Sequence, residues 1–426
     1  MAIRLDVFGG EAAPRWLLAG LVIAIFLFPS VVATTNGGGS YVYALLLLPA
    51  LFFGRGWRML APWERRVLAC LLVALAVMAL SLVNSEDLRQ GMKWLERYLR
   101  IALLVPIYLM LRRFGLVLGW ALGMGAVAAT LVMAGQAWYQ VNWLGQPVAS
   151  GYYHWIVFGD LAVLWGALAV IFALTLVRGW RGMVLGAVAA AAALYASALS
   201  QARGAWLFVP VLMLTLVWFY RRQLFASRQA IATTAAVLVL VGAVGVWQAD
   251  RLTSGVQRGL SDIRTFVENP EAGTSWGIRI NLWRNTLLLV QEHPLLGTGL
   301  GDFHQEMRDM AADGRSWSEA VADYGHAHSI YFDTLANAGV LGFFATLFGY
   351  LLLPLWAFAR GGPVADFPER RFYVHAGVVT VLAFATFGVS EALWARNPFV
   401  NTYVVCMVVL LAGLASGASD KPHRPA

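Results

Sequence analysis

Cysteine and lysine are almost missing from this chain of 426 residues: there are 2 cysteines, and among 31 basic residues only Lys93 and Lys421 are not arginine. Cys70 and Cys406 each sit inside an apolar run, which excludes a disulfide framework and a cysteine-based metal centre or nucleophile. Charge is scarce too, at 13% of residues against 60% hydrophobic, and mean hydropathy is +0.67. That balance excludes a soluble globular domain and defines an integral membrane protein. Met1 to Pro14 is mildly polar and lacks a short apolar stretch ending in a small-residue cleavage site, so the first apolar run is expected to remain as a span.

What is present is a succession of apolar stretches, each measured against the roughly 20 residues needed to cross a bilayer. Candidates centre on residues 16 to 34, 41 to 54, 66 to 83, 98 to 111, 114 to 134, 155 to 177, 183 to 199, 205 to 220, 231 to 248, 338 to 358, 372 to 392 and 398 to 416. The expectation is an all-α polytopic membrane protein of about 12 transmembrane helices. Residues 1–248 would hold spans one to nine, 249–328 a large, partly helical segment outside the membrane, and 329–426 spans ten to twelve and a tail. The stretch from Ser329 to Ala338 either extends the tenth span or forms a re-entrant piece.

Arginine placement sets the expected orientation, because basic residues in short loops stay on the cytoplasmic side. With the N-terminus inside, the internal loops and ends hold Arg55, Arg58, Arg65, Arg66, Arg112, Arg113, Arg178, Arg181, Arg221, Arg222, Arg228, Arg360, Arg370, Arg371, Arg4, Arg15, Lys421 and Arg424. The short external loops hold only Arg89, Lys93, Arg97, Arg100, Arg203 and Arg396. Both termini are therefore expected in the cytoplasm and the long segment outside, in the periplasm of a Gram-negative host. The net charge of +8 is largely this orientation signal and is no sign of nucleic-acid binding.

The external cations break the trend. Arg89, Lys93, Arg97 and Arg100 recur at helical spacing and read either as an interfacial collar or as an anion-binding face. Arg203 ends the short connection Ser200-Gln201-Ala202-Arg203-Gly204 between two spans, where a charge held at the membrane edge is a functional candidate. In the long segment, Ser275 to His293 reads as an amphipathic helix on Ile280, Trp283, Leu287 and Val290, ended by Pro294. It carries Arg279 and Arg284, the latter also readable as part of a solvated face. Gly297-Thr298-Gly299-Leu300-Gly301 has neither a following lysine nor a preceding strand, so it is not a nucleotide-binding loop, although its amides could face an anion. His326 and His328 lack the company a zinc site requires. At the aqueous edge of a membrane they suit proton transfer, with a hydrogen-bonded structural role as the competing reading.

These residues resemble the O-antigen ligases and the related O-antigen polymerases. The resemblance is carried by Arg279 with Trp283, by His293 to Phe303, by Ala327-His328-Ser329 and by Ala338-Gly339-Val340-Leu341-Gly342. Ser200 to Arg203 is similar to the family's serine-rich turn, and Gly151 to Gly159 to its loop before the sixth span. Two positions depart: asparagine is usual where Ser329 stands, and proline is common where Trp155 stands. The resemblance covers about Gly151 to Gly342. It implies transfer of a polysaccharide from undecaprenyl pyrophosphate to a sugar hydroxyl of lipid A-core at the periplasmic face of the inner membrane, with no cofactor and no metal. In that reading Arg203 and Arg279 hold the pyrophosphate, with Lys93, Arg97, Arg100 and Arg284 as further binding residues. His328 is the general base, or a group that only stabilises charge, and His326 assists it. The remaining alternatives are an O-antigen polymerase, a glycan transferase with a pilin or other protein acceptor, and a lipid or polysaccharide transporter.

Overall fold

The computed structural model describes residues 13–224, 242, 246, 249–361 and 368–416. Apart from residues 242 and 246, the ninth apolar candidate lies outside the described residues, as do Arg4, Arg228, Lys421 and Arg424. In chain order the helices are α1 (Arg15–Thr34), α2 (Gly38–Phe53), α3 (Pro62–Leu80), α4 (Leu88–Ala102), α5 (Leu104–Arg113), α6 (Gly119–Trp138), α7 (Trp155–Phe172) and α8 (Gly179–Ser200). There follow α9 (Arg203–Leu224), α10 (Ala249–Glu268), α11 (Ser275–Glu292), α12 (Phe303–Ala312), α13 (Ile330–Thr346), α14 (Leu353–Arg360), α15 (Pro368–Phe387) and α16 (Asn397–Ser416).

Among the described residues eight helices are long and apolar enough to cross a membrane: α1, α3, α6, α7, α8, α9, the joined α13–α14 unit and α16. The protein is an all-α, multi-pass membrane protein. α16 is buried from Pro398 to Ser416, and α7 is nearly so, which puts them at the centre of the bundle. α1, α6 and α8 close round α7, while α2, α4, α5 and α15 pack on α16.

The expected span at 98 to 111 is not one continuous helix. The chain turns at Leu103, where α4 meets the ten-residue α5. At about 1.5 Å per residue α5 alone falls well short of a bilayer's depth. α4 is amphipathic: Asp87 caps it by accepting from the Gln90 amide at 3.0 Å, and Tyr98, Ile101 and Ala102 face inward. At the arginine-rich end, buried Glu64 ties α3 to α5, accepting from Arg112 Nε at 2.7 Å and from the Tyr108 hydroxyl.

The segment between α9 and α13 has a small core of its own, in which Ile278, Leu282 and Leu289 of α11 meet Phe303, Met307 and Met310 of α12. The expected α11 forms, capped by Thr274, but its inward face is not the predicted one, and Leu287 is exposed. Two asparagines occupy the buried stripe and disguise it. Asn285 donates to Ser316 Oγ at 3.0 Å and Asn281 to the Pro270 carbonyl at 3.1 Å, while Asn281 Oδ1 is buried without a partner.

Ser329 to Ala338 extends the tenth span, with a break at Gly339, whose φ of +61° lies outside helical geometry. The chain around Gly297 threads through that break. Thr298 N donates to Ala336 O at 2.9 Å, Gly299 N to Asn337 O at 3.2 Å and Val340 N to Pro294 O at 2.9 Å. A Cβ on Gly339 would lie 2.4 Å from the Leu295 carbonyl carbon, so only glycine fits. The amides of Thr298 and Gly299 are thus used by backbone carbonyls, and the glycine loop is a clamp, not an anion cradle.

Candidate functional site

His328 adopts φ +50°, an uncommon conformation for a side-chain-bearing residue. Three contacts fix it. The Ala327 amide donates to Asp333 Oδ1 at 3.1 Å, Trp283 Nε1 donates to the Ala327 carbonyl at 2.9 Å, and the His328 amide donates to His326 Nδ1 at 3.3 Å. Trp283 is in turn stacked on Phe332 at 5.0 Å between centroids. The histidine turn is therefore clasped between α11 and the first turn of α13. Ser329, at the position where asparagine was expected, donates through Oγ to the Gly388 carbonyl at 3.1 Å and holds the turn against the end of α15.

The His328 ring faces a carboxylate from the loop between α15 and α16. Its Nδ1 lies 3.6 Å from Glu391 Oε2, with the His328 side chain 16% exposed and that of Glu391 1% exposed. The other carboxylate oxygen accepts from Arg396 Nε at 3.3 Å. Burial alone would raise the Glu391 pKa, but contact with His328 and the charge of Arg396 outweigh it and hold the carboxyl below its ordinary value. His326 is pushed down to about 3, by burial first and then by the neighbouring His328, so it stays neutral and serves as an acceptor. The two rings lie 4.4 Å apart in an edge-to-face arrangement.

Two arginines approach from other elements. Arg203 begins α9, at the positive end of the helix dipole, and its Nη1 is 3.9 Å from Asp262 Oδ2 of α10. A Cβ on Gly259 would lie 3.6 Å from Trp276 Nε1 and 3.9 Å from Arg203 Nη1, so α10 brings Arg203 beside Trp276. Arg279 lies over that same ring, 5.8 Å from its centroid. Its Nη1 donates to Ser275 Oγ at 2.8 Å, while its Nε is buried without a hydrogen-bond partner. Burial lowers the Arg279 pKa, Glu391 opposes the shift and the like charge of Arg203 adds to it. Arg279 is thus in electrostatic reach of both Arg203 and Glu391.

The remaining expected site residues divide. Arg97, stacked on Trp94 at 4.5 Å, is within electrostatic reach of Asp333, Arg396 and His326 and joins the group. Arg100 is paired with Glu96 at 2.6 Å, and Lys93 is exposed. The four basic residues lie along one face of α4, as their spacing predicts, but their partners differ, and Arg97 is the one whose charge reaches His326. Arg284 donates to the Arg315 carbonyl at 2.8 Å and lies 4.2 Å from the centre of Trp317, where it braces a loop away from the histidines. His304 also takes a structural contact, to the Ala322 carbonyl at 3.0 Å.

Glu391, Arg396 and Asp333 went unassigned to a site from sequence, although Glu391 and Arg396 are five apart at the junction of two apolar runs. Asp160 is another such residue. It is fully buried in α7 beneath the first turn of α9, where a Cβ on Gly204 would lie 3.6 Å from its Oδ1. Donor atoms of His326, His328 and Glu391 lie within 4.8 Å of one another, a spacing that could hold a metal ion. Against a dication, His326 Nδ1 and Glu391 Oε1 are already engaged, and Arg97, Arg279 and Arg396 make the surroundings positive. The histidine that faces Glu391 is thus set among guanidinium groups.

Residues 188–347 match the protein family described as O-antigen ligase. The chain is also 22% identical over 339 residues to an uncharacterized protein of Haemophilus influenzae, across 78% of this chain and 82% of that one. The matched segment contains Arg203, Arg279, His326 and His328, so the geometry and the match coincide. The likeness to the O-antigen ligase family thus covers the stretch from α8 to α13, where these residues lie.

Proposed function

We propose that the protein moves a polysaccharide from undecaprenyl pyrophosphate to a sugar hydroxyl of lipid A-core, at the periplasmic face of the inner membrane. The observation that carries this reading is that Arg279 lies in electrostatic reach both of Arg203 and of the carboxylate that faces His328. Two like charges in a partly desolvated space repel one another, and an anion bridging them relieves that repulsion. Guanidinium groups bind phosphate oxygens bidentately and stay charged, which suits them to a pyrophosphate.

The acceptor oxygen attacks the anomeric carbon as the bond from that carbon to the pyrophosphate oxygen breaks. His328 takes the acceptor proton at Nε2, while Glu391 orients Nδ1–H and stabilises the imidazolium that forms. The electron pair leaves with undecaprenyl pyrophosphate, whose growing charge is met by Arg203 and Arg279 more strongly than in the ground state. One in-line displacement inverts the anomeric configuration. None of these steps calls on a metal, and chelation with EDTA is expected to leave the rate unchanged; loss of transfer restored by a divalent ion would overturn the arginine account.

The lipopolysaccharide of a deletion strain tests the acceptor. Loss of the polymer ladder with accumulation of carrier-linked long chains supports the ligase. Accumulation of single repeat units would assign a polymerase instead, and an unchanged ladder would remove lipid A-core as the acceptor.

A further inference from the structure

Asp160 is the one charged residue of α7 and is fully buried. Both of its carboxylate oxygens lack a hydrogen-bond partner among the described residues. A carboxylate in that state costs stability, and within a membrane helix it marks a functional position by default. The transfer steps give it no part.

What it faces is the start of α9. A Cβ on Gly204 would lie 3.6 and 3.9 Å from the two Asp160 oxygens and 2.7 Å from Ser390 Oγ. The backbone amide of Ala205 is the donor that faces the carboxylate, short of ordinary hydrogen-bond geometry. The first amides of a helix have no partner within it and the helix dipole is positive there, so a carboxylate beneath that turn is attracted to it. α7 comes this close because residue 159 is glycine: a Cβ on Gly159 would run into Ser200 Oγ and Ala202 Cβ. The turn is tied within itself, since Ser200 Oγ accepts from the Ala202 amide at 3.2 Å. Ser390 stands next to Glu391, the carboxylate that faces His328. One packing junction therefore meets the mounts of both Arg203 and Glu391.

We propose that Asp160 is a positioning residue for Arg203: its carboxylate, set under the first turn of α9, anchors that turn and so the direction in which the guanidinium leaves the helix. Asp160 is buried away from solvent and acts through Arg203, not on substrate. The role given to Arg203 rests on the function proposed above; the anchoring of α9 does not.

Asp160→Leu removes the acceptor and Asp160→Asn keeps it, because asparagine and aspartate serve helix N-termini about equally. Hydrogen exchange of the full chain in detergent reads the anchor directly. Peptides covering residues 200–207 are expected to exchange faster in Asp160→Leu and as in wild type in Asp160→Asn. No change there, or faster exchange spread evenly over α7 and α8, would overturn the anchoring whatever Arg203 binds. Transfer kinetics read the consequence. A displacement of about 1 Å costs about 10²-fold, so Asp160→Leu should lower kcat by about that factor with donor KM near wild type. Asp160→Asn should recover to within about threefold of wild type. In an Arg203→Lys background Asp160→Leu should add little. A full multiplicative loss there, or equal losses in the two Asp160 variants, would overturn the link to Arg203. Should Arg203→Lys itself transfer at the wild-type rate, the function proposed above falls, while hydrogen exchange still decides the anchor.

Discussion

His328 Nδ1 faces Glu391 Oε2 at 3.6 Å, and the second oxygen of that carboxylate is held by Arg396. At that distance the two atoms are not hydrogen-bonded and each is buried without a partner, so the proposed base depends on a small closing movement of the imidazole toward an anchored carboxylate.

Glu391→Gln is expected to lower the transfer rate by about 10²–10⁴-fold, with His328→Gln in the same range. Because the carboxylate acts through the imidazole, the double variant should be no worse than His328→Gln alone. Transfer by purified protein at saturating donor measures this. Multiplicative losses would show that Glu391 acts independently of His328.

Arg203→Lys and Arg279→Lys keep charge and lose the planar fork. Each is expected to cost about 10²–10³-fold in rate. Arg284→Gln should leave the rate near wild type and lower the melting temperature, since its partners are the Arg315 carbonyl and Trp317. A rate loss at Arg284 equal to that at Arg279 would put it back among the substrate ligands.

His326 is held at about 3 against an ordinary 6.5, so acid affects the native and unfolded chains differently. As pH falls through 6.5 the unfolded chain takes up a proton and the native chain does not. Stability therefore drops from about pH 6.5 down to about 3 and levels off below that. His326→Asn keeps an acceptor where Nδ1 stands and cannot titrate, so its melting temperature should depend less on pH across that window. Parallel wild-type and variant curves would count against the assignment.

Gly339→Ala must place a methyl 2.4 Å from the Leu295 carbonyl carbon at φ +61°. Gly314 has a similar φ of +68° with nothing within 4 Å of the added carbon. The first substitution is expected to cost more than about 2 kcal/mol and the second about 1 kcal/mol. Thermal melts of the two variants read the difference, and equal losses would mean that backbone strain alone governs Gly339.

The all-helical membrane class was legible from apolar run length, and so was the existence of α11 from its helical repeat and the proline that follows it. The inward face of α11 was hidden because Asn281 and Asn285 are buried with partners remote in sequence. The bend at Leu103 was hidden because hydropathy runs on through it from Tyr98 to Leu111. Arg203, Arg279 and His328 stood out as polar groups at the edges of apolar runs. Glu391 also lies at the edge of an apolar run, yet its position opposite His328 depends on how α15 and α16 meet α13, which spacing along one chain does not encode. Arg284 shows the converse: it is on the same helix as Arg279, but its partners lie in a loop 31 residues away.

The clamp at Gly297 also constrains how the molecule is assembled. Asn84 Nδ2 grips the Gly297 carbonyl at 2.8 Å across 213 residues, and Asp302 takes the Glu86 amide at 2.7 Å across 216. Through the same few residues the loop is stitched to Ala336 and Asn337. An early connection must therefore wait, its polar groups served by water, until a much later helix has entered the bilayer and offered its break. Proteolysis of the Asn84 region in a stalled or truncated nascent chain would expose that waiting period, and protection should arrive only once α13 is in place.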